Sequence, residues 1–283
     1  MQSSAHQDVD DAPQVPPGVD PQTPTPARLY DYYLGGTNNF DVDRAMAERL
    51  RAQVPEISDS AWANRAFHQR AARWMAADRG IRQFIDIGAG LPTQGNTHEL
   101  VQQVQPGAHV VYVDNDPMVL AHARSLLVGA VGAGFIQADL REPESVLSDP
   151  ELQALIDFSE PVGLLMTGVM YFVADASDPW GIVARFVSAL PSGSYLALSH
   201  LTADSKPPRA VQEGQDIYAR ATENLYFRRR AEVERFFDGL ELVPPYPGAE
   251  PAISYVGQWG AEDPLLADGD DSRWLYCGVA RRP

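Results

Sequence analysis

Seven residues, Phe84-Ile85-Asp86-Ile87-Gly88-Ala89-Gly90, join an apolar run, an acid and a Gly-x-Gly turn. Glycine at such a turn lets the backbone approach a ligand where a Cβ would collide. Twenty-four residues after Gly90, the apolar run Val110-Val111-Tyr112-Val113 ends in Asp114. A βαβ unit places a ribose-binding carboxylate at about this interval. A third acid, Asp139, closes Phe135-Ile136-Gln137-Ala138-Asp139-Leu140 at nearly the same spacing. Three acids at the carboxyl ends of parallel strands describe an adenosine pocket.

The dinucleotide fingerprint needs Gly-x-Gly-x-x-Gly/Ala, with the helix starting inside it and facing a pyrophosphate. Here Gly88-Ala89-Gly90 runs into Leu91, Pro92 and Thr93, so threonine holds the third position. Asn96 and Glu99 have capping-box spacing, which starts the helix late and moves its dipole away from a phosphate. S-adenosylmethionine carries no phosphate and needs room for a methionine tail, so it suits this loop better than a nicotinamide dinucleotide. The candidate cofactor contacts are Asp86, Gly88, Ala89, Gly90 and Thr93, then Asp114 and Asn115, then Asp139 and Leu140, and Gly168 after the fourth strand. Asp116 precedes Pro117 and reads as an N-cap, which leaves Asp114 as the ribose ligand. Asp139 is the candidate for the adenine amino group, or closes a polar turn; Asp86 either meets an ammonium or holds the loop.

The segments ARLYDYYLGGTNNFDVDRA (27–45), FIDIGAGLPTQGNTHEL (84–100), VVYVDNDPMVLAHARSLL (110–127) and GSYLALSH (193–200) resemble the S-adenosylmethionine-dependent methyltransferase family once catalogued only as a domain of unknown function. The resemblance runs from about residue 27 to the C-terminus. It implies a class I, Rossmann-like fold and that cofactor, and it supplies no methyl acceptor. Met170-Tyr171 and Trp259-Gly260 depart from the family pattern, which has a Leu-His type pair and Trp-Arg-Pro there. Both positions are expected near the acceptor.

Methyl transfer from a sulfonium is an in-line displacement that alignment can drive. A base is needed only if the acceptor holds its proton at neutral pH. His200 and Tyr171, each at a carboxyl strand end, are the candidates. The dense segment from Tyr30 to Phe40 reads as a lid whose Tyr30, Gly36 and Asn39 touch the cofactor, or as an aromatic-packed helix with a glycine cap. A cofactor-binding sensor without catalysis, and an NAD-dependent oxidoreductase, are the alternative functions.

Alternating strands and helices from 81 onward predict an α/β, doubly wound, mostly parallel sheet with an antiparallel C-terminal strand. Residues 1–26, poor in large apolar side chains, read as a disordered tail. Residues 27–79 form a helical lid or cap, and 80–283 the core, with 201–260 as a helical substrate-side section. Within the cap, Phe67, Ala71, Trp74 and Met75 share one helix face, and Gly80 is placed to end that helix. A net charge of −16 argues against nucleic acid or anionic membrane as partner and leaves a small molecule. Arg228-Arg229-Arg230 reads as a solvated helix face and helix start, and the single Cys277 as a buried strand thiol. With no signal pattern and no apolar run of spanning length, the protein is expected to be soluble and cytoplasmic.

Overall fold

The computed structural model describes residues 15–93, 95–204 and 206–283. Three helices open the chain: α1 Pro26–Tyr33, α2 Asp41–Gln53 and α3 Ile57–Arg79. The core then alternates: β1 Gln83–Ile87, α4 Thr97–Val104, β2 His109–Asp114, α5 Pro117–Leu126, β3 Ala133–Gln137, α6 Pro143–Leu147, α7 Pro150–Leu155, β4 Gly163–Thr167, α8 Pro179–Ala189 and β5 Tyr195–Leu201. After them come α9 Pro208–Tyr218, α10 Arg230–Glu234, β6 Glu241–Leu242, β7 Ser254–Tyr255 and β8 Leu275–Arg281.

The sheet order is β3-β2-β1-β4-β5-β8-β6, with β7 also on β8. Strands β1 to β5 pair in parallel, and β8 lies antiparallel to β5, as the alternation and the resemblance predicted. Strand direction of travel reverses between β1 and β4, and such a switch point opens a crevice at the carboxyl strand ends. Every residue of β1 is buried, because helices cover both faces of the sheet. Phe84, Val110, Tyr112 and Leu165 pack on the side of α3, while Ile85, Ile87, Val111, Val113 and Met166 pack on the other. That partition is the two-residue period of a strand seen from both sides.

Helix α3 sets Phe67, Ala71, Ala72, Met75 and Ala76 against the sheet and ends where Gly80 turns left-handed, its N–H bonding the Met75 carbonyl. Trp74 instead meets Tyr195 and Trp259 edge-on, at 5.6 and 5.7 Å. No described helix is long and apolar enough to cross a membrane.

Two expectations need correction. Residues 1–14 lie outside the described residues, but 15–25 of the expected tail has a defined place. Thr25 caps α1 and gives its hydroxyl proton to Asp116 at 2.7 Å, while Arg28 holds the Thr23 and Asp20 carbonyls. Polar contacts hold this segment, so its lack of apolar residues misled. Arg228 is not solvated: its side chain is 2% exposed. Arg229 does cap α10.

Candidate functional site

A cavity of about 540 Å³ lies at the carboxyl ends of the strands, within the range of small-molecule sites, roughly 300–1,000 Å³. Its outer half is built by the loops after β1, β2, β3 and β4, with residues 18–25 and Thr222–Glu223 at the rim. Its inner half lies among α1, the end of α2, α3, α9 and the start of β8.

The glycine loop and Asp114 hold each other. The Gly90 N–H donates to Asp114 Oδ2 at 2.8 Å, and the Asp116 N–H to Oδ1 at 3.0 Å. Burial pushes the Asp114 carboxyl up to about 6, against those two N–H donors. Asp116 caps α5, accepting from the Met118 N–H at 2.8 Å, as its place before Pro117 suggested. Gly88 sits at φ 71°, and a Cβ there would lie 2.6 Å from Val169 Cβ. Gly88→Ala is therefore expected to cost about 2–4 kcal/mol through backbone strain and overpacking. A urea midpoint equal to that of the wild type would show that the loop can shift to admit a methyl.

Helix α4 has its start capped from within. Glu99 accepts from the Asn96 N–H at 2.9 Å and Asn96 Oδ1 from the Thr93 N–H at 3.2 Å, so the N-terminus is filled by its own chain. Asp86 Oδ2 accepts the Thr97 hydroxyl at 2.7 Å. Since that hydroxyl proton is committed, His68 Nε2–H must donate to Thr97 Oγ1 at 2.8 Å. His68 Nδ1 then accepts from Thr167 Oγ1, also at 2.8 Å. Burial lowers His68 to about 4, so the ring is neutral across the physiological range. One buried imidazole thereby ties α3, α4 and the end of β4 around the cavity.

Asp139 lines the cavity, and its carboxylate is gripped by Arg141, which also reaches Glu223 at 3.0 Å. Hydrogen bonding and charge from Arg141 outweigh burial and hold the Asp139 carboxyl below its usual range. The pair links the loop after β3 to the segment after α9.

Of the residues singled out in the sequence, Tyr30, Asp86, Gly88, Ala89, Gly90, Asp114, Asn115, Asp139, Leu140, Gly168 and Tyr171 converge on the cavity. Thr93, Gly36, Asn39 and His200 are not among its lining residues. Asn39 Nδ2 and the Asn38 N–H donate to Asp31 Oδ2 at 2.8 and 2.9 Å, and a Cβ on Gly36 would overlap that carboxylate. Glycine and asparagine here staple the end of α1 to α2; they do not reach a ligand. Tyr30 and Tyr33 of that segment do line the cavity, the Tyr30 hydroxyl donating to the Ala61 carbonyl and accepting from Asn64. Trp259 is buried against α3, edge-on to Phe67 at 5.6 Å and with its carbonyl held by Arg70, and is not among the lining residues.

Neither expected base is in a state to act as one. His200 is fully buried, and Arg228 Nη1 stands 2.6 Å from its Nε2, so that nitrogen accepts and Nδ1–H donates to the Leu201 carbonyl. Burial and the guanidinium lower His200 to about 3. Tyr171 does line the cavity, but burial drives its phenol well above the usual range and keeps the proton on. Sequence reasoning missed Asn64, His68, Thr167 and Arg141. Asn64 and His68, four residues apart on the apolar face of α3, were the one available signal.

The chain matches the model of the S-adenosyl methyltransferase family over residues 12–283. A DUF574 family protein from Streptomyces avermitilis MA-4680 is 40% identical, matched over 93% of this chain and 99% of that one, with a TM-score of 0.86. A candidate methyltransferase from Thermobifida fusca YX is 37% identical over 94% of this chain and 97% of that one, with a TM-score of 0.85. No curated protein matches the sequence. Sequence and structure thus agree along nearly the whole chain, and the protein belongs to the S-adenosyl methyltransferase family.

Proposed function

We propose that the protein binds S-adenosylmethionine in the outer half of the cavity and transfers its methyl group to a small-molecule acceptor in the inner half. The observation that carries this reading is Asp114. Its carboxylate is fixed at the end of β2 by two backbone N–H donors and keeps lone pairs for a ribose diol. Asp86 spends Oδ2 on Thr97, and among the described residues no group hydrogen-bonds Oδ1, which suits the ammonium of the methionine part. Asp139 and Leu140 line the wall where the adenine would lie, and residues 18–25 cover it.

When bound, the cofactor supplies an electrophilic methyl on a sulfonium. The chain supplies position: the β1 loop and Asp114 hold one end, while the His68 network fixes the strand ends. With His200 and Tyr171 removed as bases, alignment and water exclusion carry the proposed catalysis. The cavity continues beyond the strand ends, which favours transfer to a second molecule over a binding-only role.

The capped start of α4 argues against a pyrophosphate, because the groups that would bind one are already satisfied. Calorimetric titration with S-adenosylmethionine, S-adenosylhomocysteine and NAD tests the reading. The first two are expected to bind and the third not. Binding of NAD alone would overturn it.

A further inference from the structure

The part of the cavity walled by the end of α2, α9, residues 225–227 and the start of β8 differs in chemistry from the rest. The charged residues that line the cavity come from 18–28, Arg65, the strand ends and the Arg141–Glu223 pair. None comes from the end of α2, α9, residues 225–227 or the start of β8. Those elements contribute Leu50, Gly214, Tyr218, Leu225, Phe227 and Leu275, with Trp274 just before β8. An ion in that chamber would lose its hydration and find no countercharge, at a cost of several kcal/mol.

Three phenols line this space with nothing to bond, the hydroxyl of Tyr33 being shut off from it. The Tyr33 hydroxyl is buried without a partner, and among the described residues no group hydrogen-bonds the hydroxyls of Tyr171 or Tyr218. Phe172 packs against both Tyr171 and Tyr218, at 4.6 and 6.2 Å between ring centres, so those two phenols stand close together. Burial keeps all three protonated. Leaving buried hydroxyls unpaired costs roughly 1–3 kcal/mol each, so such groups point to a ligand that pairs them.

Gly214 adds a second, independent observation. It lies in the interior of α9, where glycine costs roughly 1 kcal/mol relative to alanine. It is buried, lines the cavity, and a Cβ built on it meets nothing within 4 Å. The helix therefore presents bare backbone to open space.

We propose that this chamber holds an uncharged, largely aromatic acceptor bearing hydroxyl or carbonyl groups, seated against Gly214 and hydrogen-bonded by Tyr171 and Tyr218. The assignment of that molecule as acceptor rests on the methyl-transfer reading above; its chemical class rests on the chamber alone. Aromatic walls favour a flat ring system through edge and face contacts. The phenols donate to a carbonyl or hydroxyl oxygen and accept from a hydroxyl.

The test uses 2-naphthol, with naphthalene-2-sulfonate as its charged counterpart, titrated into the full chain alone and saturated with S-adenosylhomocysteine. Naphthol is expected to bind at least tenfold tighter than the sulfonate. Gly214→Phe should weaken naphthol more than tenfold while leaving S-adenosylhomocysteine affinity and thermal stability intact, and Gly214→Leu does the same work if the phenylalanine variant does not fold. Tyr218→Phe should weaken naphthol about two- to tenfold, the worth of one neutral hydrogen bond. Equal or tighter binding of the sulfonate, absence of naphthol binding in both states, or undiminished naphthol binding in both Gly214 variants would overturn the proposal. Naphthol binding that responds to Gly214 in a protein that does not bind S-adenosylhomocysteine would uphold the chamber and sink the methyl-transfer reading instead.

Discussion

Replacing Asp114 by alanine is expected to weaken S-adenosylmethionine binding by about 2–3 kcal/mol, roughly thirty- to 150-fold. Two effects add. The ribose loses a charge-assisted acceptor, and the Gly90 and Asp116 N–H groups lose the carboxylate that fixes the loop. The same carboxyl gives binding a pH signature. Its value of about 6 means that the charged form dominates at neutral pH and is lost in mild acid. Affinity should therefore be flat above pH 7 and fall about tenfold by pH 5, one unit below the midpoint. The stability sign is opposite. A carboxyl raised in the folded state stabilises the fold fully below its unfolded value and loses that contribution as pH rises through 6. At neutral pH, then, Asp114 weighs against the ligand-free fold, and a diol donating to it offsets the penalty. Calorimetry of the wild type and Asp114→Ala from pH 5 to 8 checks both statements. Equal affinities at pH 8 would remove Asp114 from the site, and a slope retained in the alanine variant would assign the titration to another group.

Arg228→Ala is expected to be the most destabilising of these substitutions, at about 3–5 kcal/mol, which corresponds to a fall in Tm on the order of 10 °C. The guanidinium donates to the Met170 and Val173 carbonyls at 3.2 and 2.7 Å, to His200, and to Asp175 at 2.6 Å. Its flat face lies over Trp180 and Phe236, at 5.1 and 5.8 Å from the ring centres. Alanine leaves the Val173 carbonyl and His200 Nε2 unpaired, leaves the Met170 carbonyl only the Val173 N–H, and empties the space between them. Lysine should rescue little, since one ammonium cannot reach acceptors arranged around a planar fork. Scanning calorimetry measures the effect, and a Tm within about 2 °C of the wild type would show that water satisfies the two acceptors left open. The turn at 170–173 carries Tyr171, so the chamber should lose affinity for its ligand before the Asp114 end does.

The part of the site that is local in sequence was legible in the sequence. Gly88 and Gly90 turn, Asp114 closes β2, Asp116 caps α5, and Asn96 with Glu99 caps α4, because each depends on neighbours a few residues away. The alternation of strands and helices likewise determined the parallel sheet and its crevice, since short connections allow few other arrangements. What the tertiary structure decided is everything that depends on residues distant in the chain. His200 sits at a strand end, as expected of a base, yet Arg228, twenty-eight residues on, takes its lone pair. Asn39 and Gly36 have ligand-binding chemistry, and Asp31 consumes it. His68 lies on an apolar helix face and becomes the hub of the cavity wall only because Thr97 and Thr167 meet it there. Periodicity reports which face is buried. Whether a buried polar group is spent on the protein or left for a ligand depends on partners that only folding brings within hydrogen-bonding distance.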